Sequence, residues 1–186
     1  MKRRPRDIGT AAETATVRYL QAHGWPTAER RALRGNCDAG DITGTPGVCW
    51  EVKGGNAART ASDLDIERWM AELAVEFRNA QADVGLLVVQ RAGVGPANAG
   101  RWWAWMPAFQ LSSLIFEVPI LPAGYTFPVR MLLGDAVSLL RSAGYGTQPR
   151  PVLSLDDPTP PTARFGDDRS LRDPVDVVAL PERVAS

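Results

Sequence analysis

Gly40-Asp41-Ile42-Thr43-Gly44-Thr45-Pro46-Gly47-Val48-Cys49-Trp50-Glu51-Val52-Lys53 reads as two short strands, Asp41–Gly44 and Val48–Lys53, around a Thr45-Pro46-Gly47 turn. Side chains alternate along a strand, so Val48, Trp50 and Val52 share one face and Cys49, Glu51 and Lys53 the other. The apolar face calls for a helix to cover it, which leaves Glu51 and Lys53 pointing together into a cleft. A carboxylate beside an ammonium is useful where a hard metal ion and a phosphate meet. The carboxylate ligates Mg²⁺, and the lysine orients or activates a water and steadies the phosphate charge. The plain alternative is an ordinary surface cross-strand pair. Asp41 is the natural second ligand, because its strand runs back along Val48–Lys53. If the loop is Thr45–Gly47, Asp41 faces Glu51; one more loop residue turns it to the other side. Pro46 in mid-turn fits imperfectly.

Upstream, Ile8, Ala12, Ala15 and Tyr19 recur at helical spacing, predicting a helix from about Asp7 to His23 that Gly24 ends. On that helix Glu13 falls between Val17 and Leu20, nearly opposite Arg18. An acid at the edge of a buried face needs a partner, and a metal or its water shell would supply one. Thr27–Leu33 reads as a strand and Asn36–Gly40 as a turn. Asp38, three residues before Asp41, competes with it as a ligand.

Downstream, Gly54-Gly55-Asn56 breaks the pattern, and a strongly amphipathic helix covers about Leu64–Gln81. Ile66, Trp69, Met70, Leu73, Phe77 and Ala80 make its apolar face, with Glu67, Arg68 and Glu72 on the other. Val84–Val89 is a continuous apolar run, as in a strand buried on both faces. Gly93–Gly100 reads as a loop, Arg101–Met106 as a strand, and Pro107–Ile115 and Val129–Ala143 as helices. Trp103 and Trp105 share a strand face, where core packing competes with stacking on bases. The stretch 147–186 carries seven of the 15 prolines and is expected to be a Pro/Asp-rich disordered tail.

The order α-β-β-β-α-β, with Glu13, Asp41 and Glu51-Val52-Lys53 on successive elements, resembles the PD-(D/E)XK nuclease superfamily. Within it the chain looks most like Holliday junction resolvases of the archaeal type and their viral relatives. The resemblance implies an α/β, restriction-endonuclease-like core over about 7–90, with a mixed sheet flanked by helices. Residues 91–146 would be a C-terminal helical elaboration that completes one domain, 1–146. It further implies metal-dependent hydrolysis of DNA phosphodiesters. Asp41 and Glu51 would hold Mg²⁺, for which Mn²⁺ substitutes, with the Val52 carbonyl as an extra ligand. Glu13 would complete the metal or water shell, and Lys53 would position the water. A four-way DNA junction and a homodimer would be the partners, since a junction needs two symmetric cuts. Another DNase of this superfamily, restriction-like or exonucleolytic, is the near alternative; a non-cleaving DNA-binding protein is the more distant one. No Pro precedes Asp41 here.

The composition fits these expectations unevenly. The 21 basic and 21 acidic residues cancel, which first argues against a nucleic-acid partner. Residues 1–59, however, hold ten basic against six acidic, a net of +4, while 60–146 and 147–186 each carry −2. Arg3, Arg4, Arg6, Arg30, Arg31 and Arg34 are therefore the expected grips on the phosphate backbone, a role for which arginine's planar fork is suited. A single histidine and no CxxC argue against a structural zinc site and a histidine-based triad. Two cysteines and no apolar segment after Lys2–Arg6 fit a reducing cytoplasm, in a bacterial cell and encoded by it or by a virus. No apolar run is long enough to span a membrane.

Overall fold

The computed structural model describes residues 5–32, 39–116 and 121–147, with side chains from Gly9 onward. Helix α1 (Pro5–Ala22) buries Ala12, Ala15, Val17 and Leu20. Arg18 on its far side is exposed, as the helical spacing predicts. Two short strands follow, β1 (Glu29–Arg30) and β2 (Ile42–Thr43), paired antiparallel. Of the strand expected over Thr27–Leu33, only Glu29 and Arg30, both exposed, are strand among the described residues, which hold little apolar surface to support a longer ladder.

Strand β3 (Val48–Lys53) covers the residues its alternation predicts. In the turn before it the Val48 N–H donates to the Thr45 carbonyl at 3.0 Å, and Gly47 has φ +77°. Pro46 and Gly47 thus occupy the two central positions that a type II turn reserves for them, so Pro46 suits the turn after all. Gly54-Gly55-Asn56 does more than break the pattern: it opens a short helix, α2 (Gly55–Arg59). Helix α3 (Asp63–Asn79) starts on a capping box, Ser62 and Asp65 exchanging bonds with each other's backbone. Strand β4 (Val84–Val89) is buried throughout.

Beyond β4 the sequence reading needs two corrections. The expected loop Gly93–Gly100 contains a 3₁₀ segment, Pro96–Arg101. After β5 (Trp103–Pro107) and helix α4 (Ala108–Phe116), the helix expected over Val129–Ala143 divides into β6 (Pro128–Leu132) and α5 (Leu133–Ser142). The expected tail from 148 on lies outside the described residues.

The class is α/β. A mixed sheet of order β3-β4-β5-β6 has β3 parallel to β4 and the other pairs antiparallel. Helices flank it. One core gathers Leu20 of α1, Trp25, Trp50 of β3, Leu86 and Val88 of β4 and Leu140 of α5. Trp25 and Trp50 meet edge to face, 6.2 Å between centroids. The other face of the sheet gives Cys49, Leu87 and Val89 to Ile66, Trp69 and Leu73 of α3. Each large side chain so buried contributes about 1.5–3 kcal/mol. Among the described residues no helix is long and apolar enough to cross a membrane.

Candidate active site

Asp41 stands just before β2, where the chain turns back along β3. Its N–H donates to the Trp50 carbonyl at 2.7 Å, and its Oδ2 accepts from the Val52 N–H at 2.8 Å. These bonds bring its carboxyl against that of Glu51, and the two side chains share a hydrogen bond. Strand β2 forms no ladder with β3, so neither register that the loop length left open is adopted: the Asp41 backbone meets Trp50, and its side chain comes beside Glu51 from there. Glu51, on the α3 side of β3, is 7 % exposed. Its Oε1 lies 2.5 Å from the Lys53 Nζ, which also reaches Glu72 Oε2 at 2.8 Å.

Two acids of α3 complete the cluster. Glu76, 6 % exposed, faces Glu51 closely enough to hydrogen-bond with it. Glu72 is exposed, as its place on the helix suggests, and its Oε2 also accepts from Lys53 Nζ. Glu76 leaves a legible trace in the sequence, because it follows Trp69 by seven residues and so interrupts the apolar face with an acid. Glu72 leaves none: its exposed position is compatible with any solvated role, and only Lys53's reach across from β3 engages it.

Burial and crowding of like charges set the protonation. Asp41 is pushed up to about 8, first by burial and then by the charge of Glu51, against the opposing bond from the Val52 N–H. Glu51 is pushed up to about 7 by burial, with Glu76 adding to the rise and Lys53 opposing it. For Lys53 burial pulls the ammonium down, but Glu51 and Glu72 outweigh it and the net shift is upward. Lys53 is therefore a cation at neutral pH. Asp41 and Glu51 are held toward their protonated forms at neutral pH.

Carboxylate oxygens are the donors that Mg²⁺ takes, and Asp41 and Glu51 are the residues that would hold such an ion. In the arrangement seen, however, no group of three or more His, Cys, Asp or Glu side chains among the described residues is placed to hold an ion. The fit thus rests on Asp41 and Glu51 as a pair. Val52 is engaged at the site through its N–H.

Glu13 approaches from α1. Its charge is felt at Asp41, while its Oε2 accepts from Arg30 Nε at 2.7 Å. Arg30 also donates to the Thr10 hydroxyl at 3.3 Å, and Arg31 Nε donates to the Gly40 carbonyl at 2.9 Å. Arg31 thus braces the segment that carries Asp41 while the Arg30 side chain ties to α1, and both stay exposed enough to meet a ligand. Arg3, Arg4, Arg34 and the competing Asp38 lie outside the described residues, as does the side chain of Arg6. The described part of the chain is thus an α/β protein with a partly buried Asp41 beside a buried Glu51 and a charged lysine at one margin of its sheet. No family model, curated protein or solved structure matches the chain.

Proposed function

We propose that the chain is a Mg²⁺-dependent DNA endonuclease on a restriction-endonuclease-like core, a Holliday junction resolvase acting as a homodimer. The observation that carries this reading is the Asp41–Glu51 carboxyl pair with Lys53 Nζ bonded to Glu51. The order α1-β1-β2-β3-α2-α3-β4, with β3 parallel to β4, supports it as well, with β1 and β2 paired to each other and not to β3. Asp41 and Glu51 would hold the ion, which supplies charge stabilisation for the attacking and leaving oxygens of a phosphodiester. The backbone bonds at Asp41 fix its carboxyl before any ligand arrives, so little ordering remains to be done on binding. Lys53, held charged between Glu51 and Glu72, orients the attacking water and meets the phosphate oxygens; it does not serve as a base. Glu13 and Arg30 steady the flank of the site.

The test offers synthetic four-way junctions and linear duplexes to the protein with Mg²⁺, Mn²⁺ or a chelator. Paired symmetric nicks in the junction, abolished by chelator, are expected. Equal rates on linear DNA would move the assignment to a restriction-like or exonucleolytic relative. Binding without cleavage in either metal would leave a DNA-binding protein and sink the nuclease reading. A cytoplasmic location goes with this proposal.

A further inference from the structure

The face of the sheet that carries Glu51 and Lys53 continues across β4 to β5 and β6, and there it changes character. Register pairs Lys53 with Val89, Val89 with Trp103 and Trp105 with Arg130, so these side chains lie on one side of the sheet. Beside them is a cavity of about 270 Å³, lined among others by Arg59, Gln90, Arg91, Trp103, Trp105 and Arg130. The guanidinium of Arg91 sits 4.3 Å from the Trp103 ring centroid, and that of Arg130 sits 4.5 Å from Trp103 and 5.4 Å from Trp105. None of Arg59, Arg91 and Arg130 has an ion pair with a carboxylate among the described residues, although Asp63 also lines the cavity. Three cations and two partly buried indoles thus share one concave surface. It adjoins the candidate site, because the Gln90 N–H donates to the Lys53 carbonyl at 2.9 Å.

We infer that this groove binds an unpaired DNA strand leading to the Asp41–Glu51–Lys53 site, an inference that rests on the nuclease reading and names its substrate as DNA with a single-stranded segment. Guanidinium forks meet phosphate oxygens, and indole faces stack with bases of any sequence. A duplex offers the same phosphates but keeps its base faces stacked on one another, so the tryptophans select for the unpaired state. Guanidiniums already lying over Trp103 extend the stack, since a base packs on a guanidinium plane as well as on an indole. This also gives Trp103 and Trp105 a role besides packing: both stay partly exposed, whereas Trp102 is fully buried with its indole N–H on the Val94 carbonyl.

The test measures anisotropy of a fluorescent oligothymidylate and of a matched duplex with the full chain in chelator, so that nothing is cut. Arg91→Ala with Arg130→Ala should weaken oligothymidylate binding at least tenfold, with duplex binding changed less than threefold. The salt dependence should flatten by about 1.4 in log–log slope for two phosphates released. Trp103→Leu should weaken oligothymidylate binding in the same way. Because Trp103 also packs against the core, Arg130→Glu at an exposed position serves as the variant whose fold is not at stake. Unchanged oligothymidylate affinity in both arginine variants, or equal losses on oligothymidylate and duplex, would overturn the inference. Wild-type cleavage is scored in parallel on the four-way junction. Cleavage with arginine-independent oligothymidylate binding sinks the groove alone. Arginine-dependent binding without cleavage upholds the groove's strand binding and sinks the nuclease reading.

Discussion

Asp41 and Glu51 keep protons that free carboxylates lose near 3.8 and 4.5, releasing them in the fold only at about 8 and about 7. Between those limits the folded chain binds more protons than the unfolded one, so this pair makes stability fall as pH rises from about 4 to about 8, and level off above. Asp41→Asn keeps an acceptor for the Val52 N–H and removes the charge. Urea unfolding in chelator should show the variant gaining on wild type between pH 5 and pH 8.5; a gap that stays constant or narrows with pH would contradict the crowded-acid account. Glu76→Gln should bring Glu51 nearer its ordinary value by removing a like charge, shifting the metal-dependent rate profile to lower pH; an unmoved profile would show that Glu76 is not coupled to Glu51. Much of this site was legible in the sequence. Alternation puts Glu51 and Lys53 on one face, and helical position puts Glu13 at the margin of a buried stripe. The approach of Asp41 to Glu51 was not, because it depends on backbone bonds to Trp50 and Val52 outside any β2–β3 ladder. Glu76 announces itself as an acid on an apolar face, whereas Glu72 is recruited by Lys53 across tertiary space.

Where an element's pattern is uninterrupted and its ends are punctuated, sequence and structure agree. Strands β3 and β4 match residue for residue, and α3 begins one residue earlier than its periodicity predicts. Strand β6 was hidden because it runs straight into α5 with no turn between them. Leu132 stands at the helix start without a side-chain cap, and Gly134 and Asp135 lie inside the first turn of α5 instead of before it, so they do not mark the change. Partnering with β5 makes Pro128–Leu132 a strand, and that pairing is not encoded locally. Two measurements probe the elements that hold the site. Ser62→Ala removes the acceptor of the α3 cap and should cost about 0.5–2 kcal/mol by chemical denaturation. No loss would show that the cap adds nothing to a helix already packed through Trp69 and Leu73. Gly44 has φ +76°, and a Cβ there would come within 1.9 Å of the Thr27 carbonyl oxygen. Gly44→Ala should cost more than about 1 kcal/mol and loosen the β1–β2 ladder beside Asp41. Hydrogen exchange at the Arg31 and Asp41 amides reads that loosening, and unchanged protection would contradict it.

Over the whole molecule, charge and chemistry divide unevenly, and the zero net charge conceals it. The N-terminal third is basic, yet its described arginines Arg30 and Arg31 are engaged by Glu13 and by the Gly40 carbonyl. Beside the tryptophans, Arg59 of that same third is joined by Arg91 past the end of β4 and Arg130 of β6, none of them with a carboxylate partner among the described residues. A sum over sequence thirds could not anticipate this, because the sheet brings Arg91 and Arg130 together across 39 positions of chain. The most direct measurement of the nuclease claim is single-turnover cleavage of a four-way junction in Mg²⁺ by wild type, Asp41→Asn and Lys53→Ala, each checked for folding by circular dichroism. Wild type should cut both symmetric strands, and each folded variant should lose about 10²–10³-fold in rate while still binding the junction. Folded variants that cut as fast as wild type, or a wild type that never cuts, would contradict it.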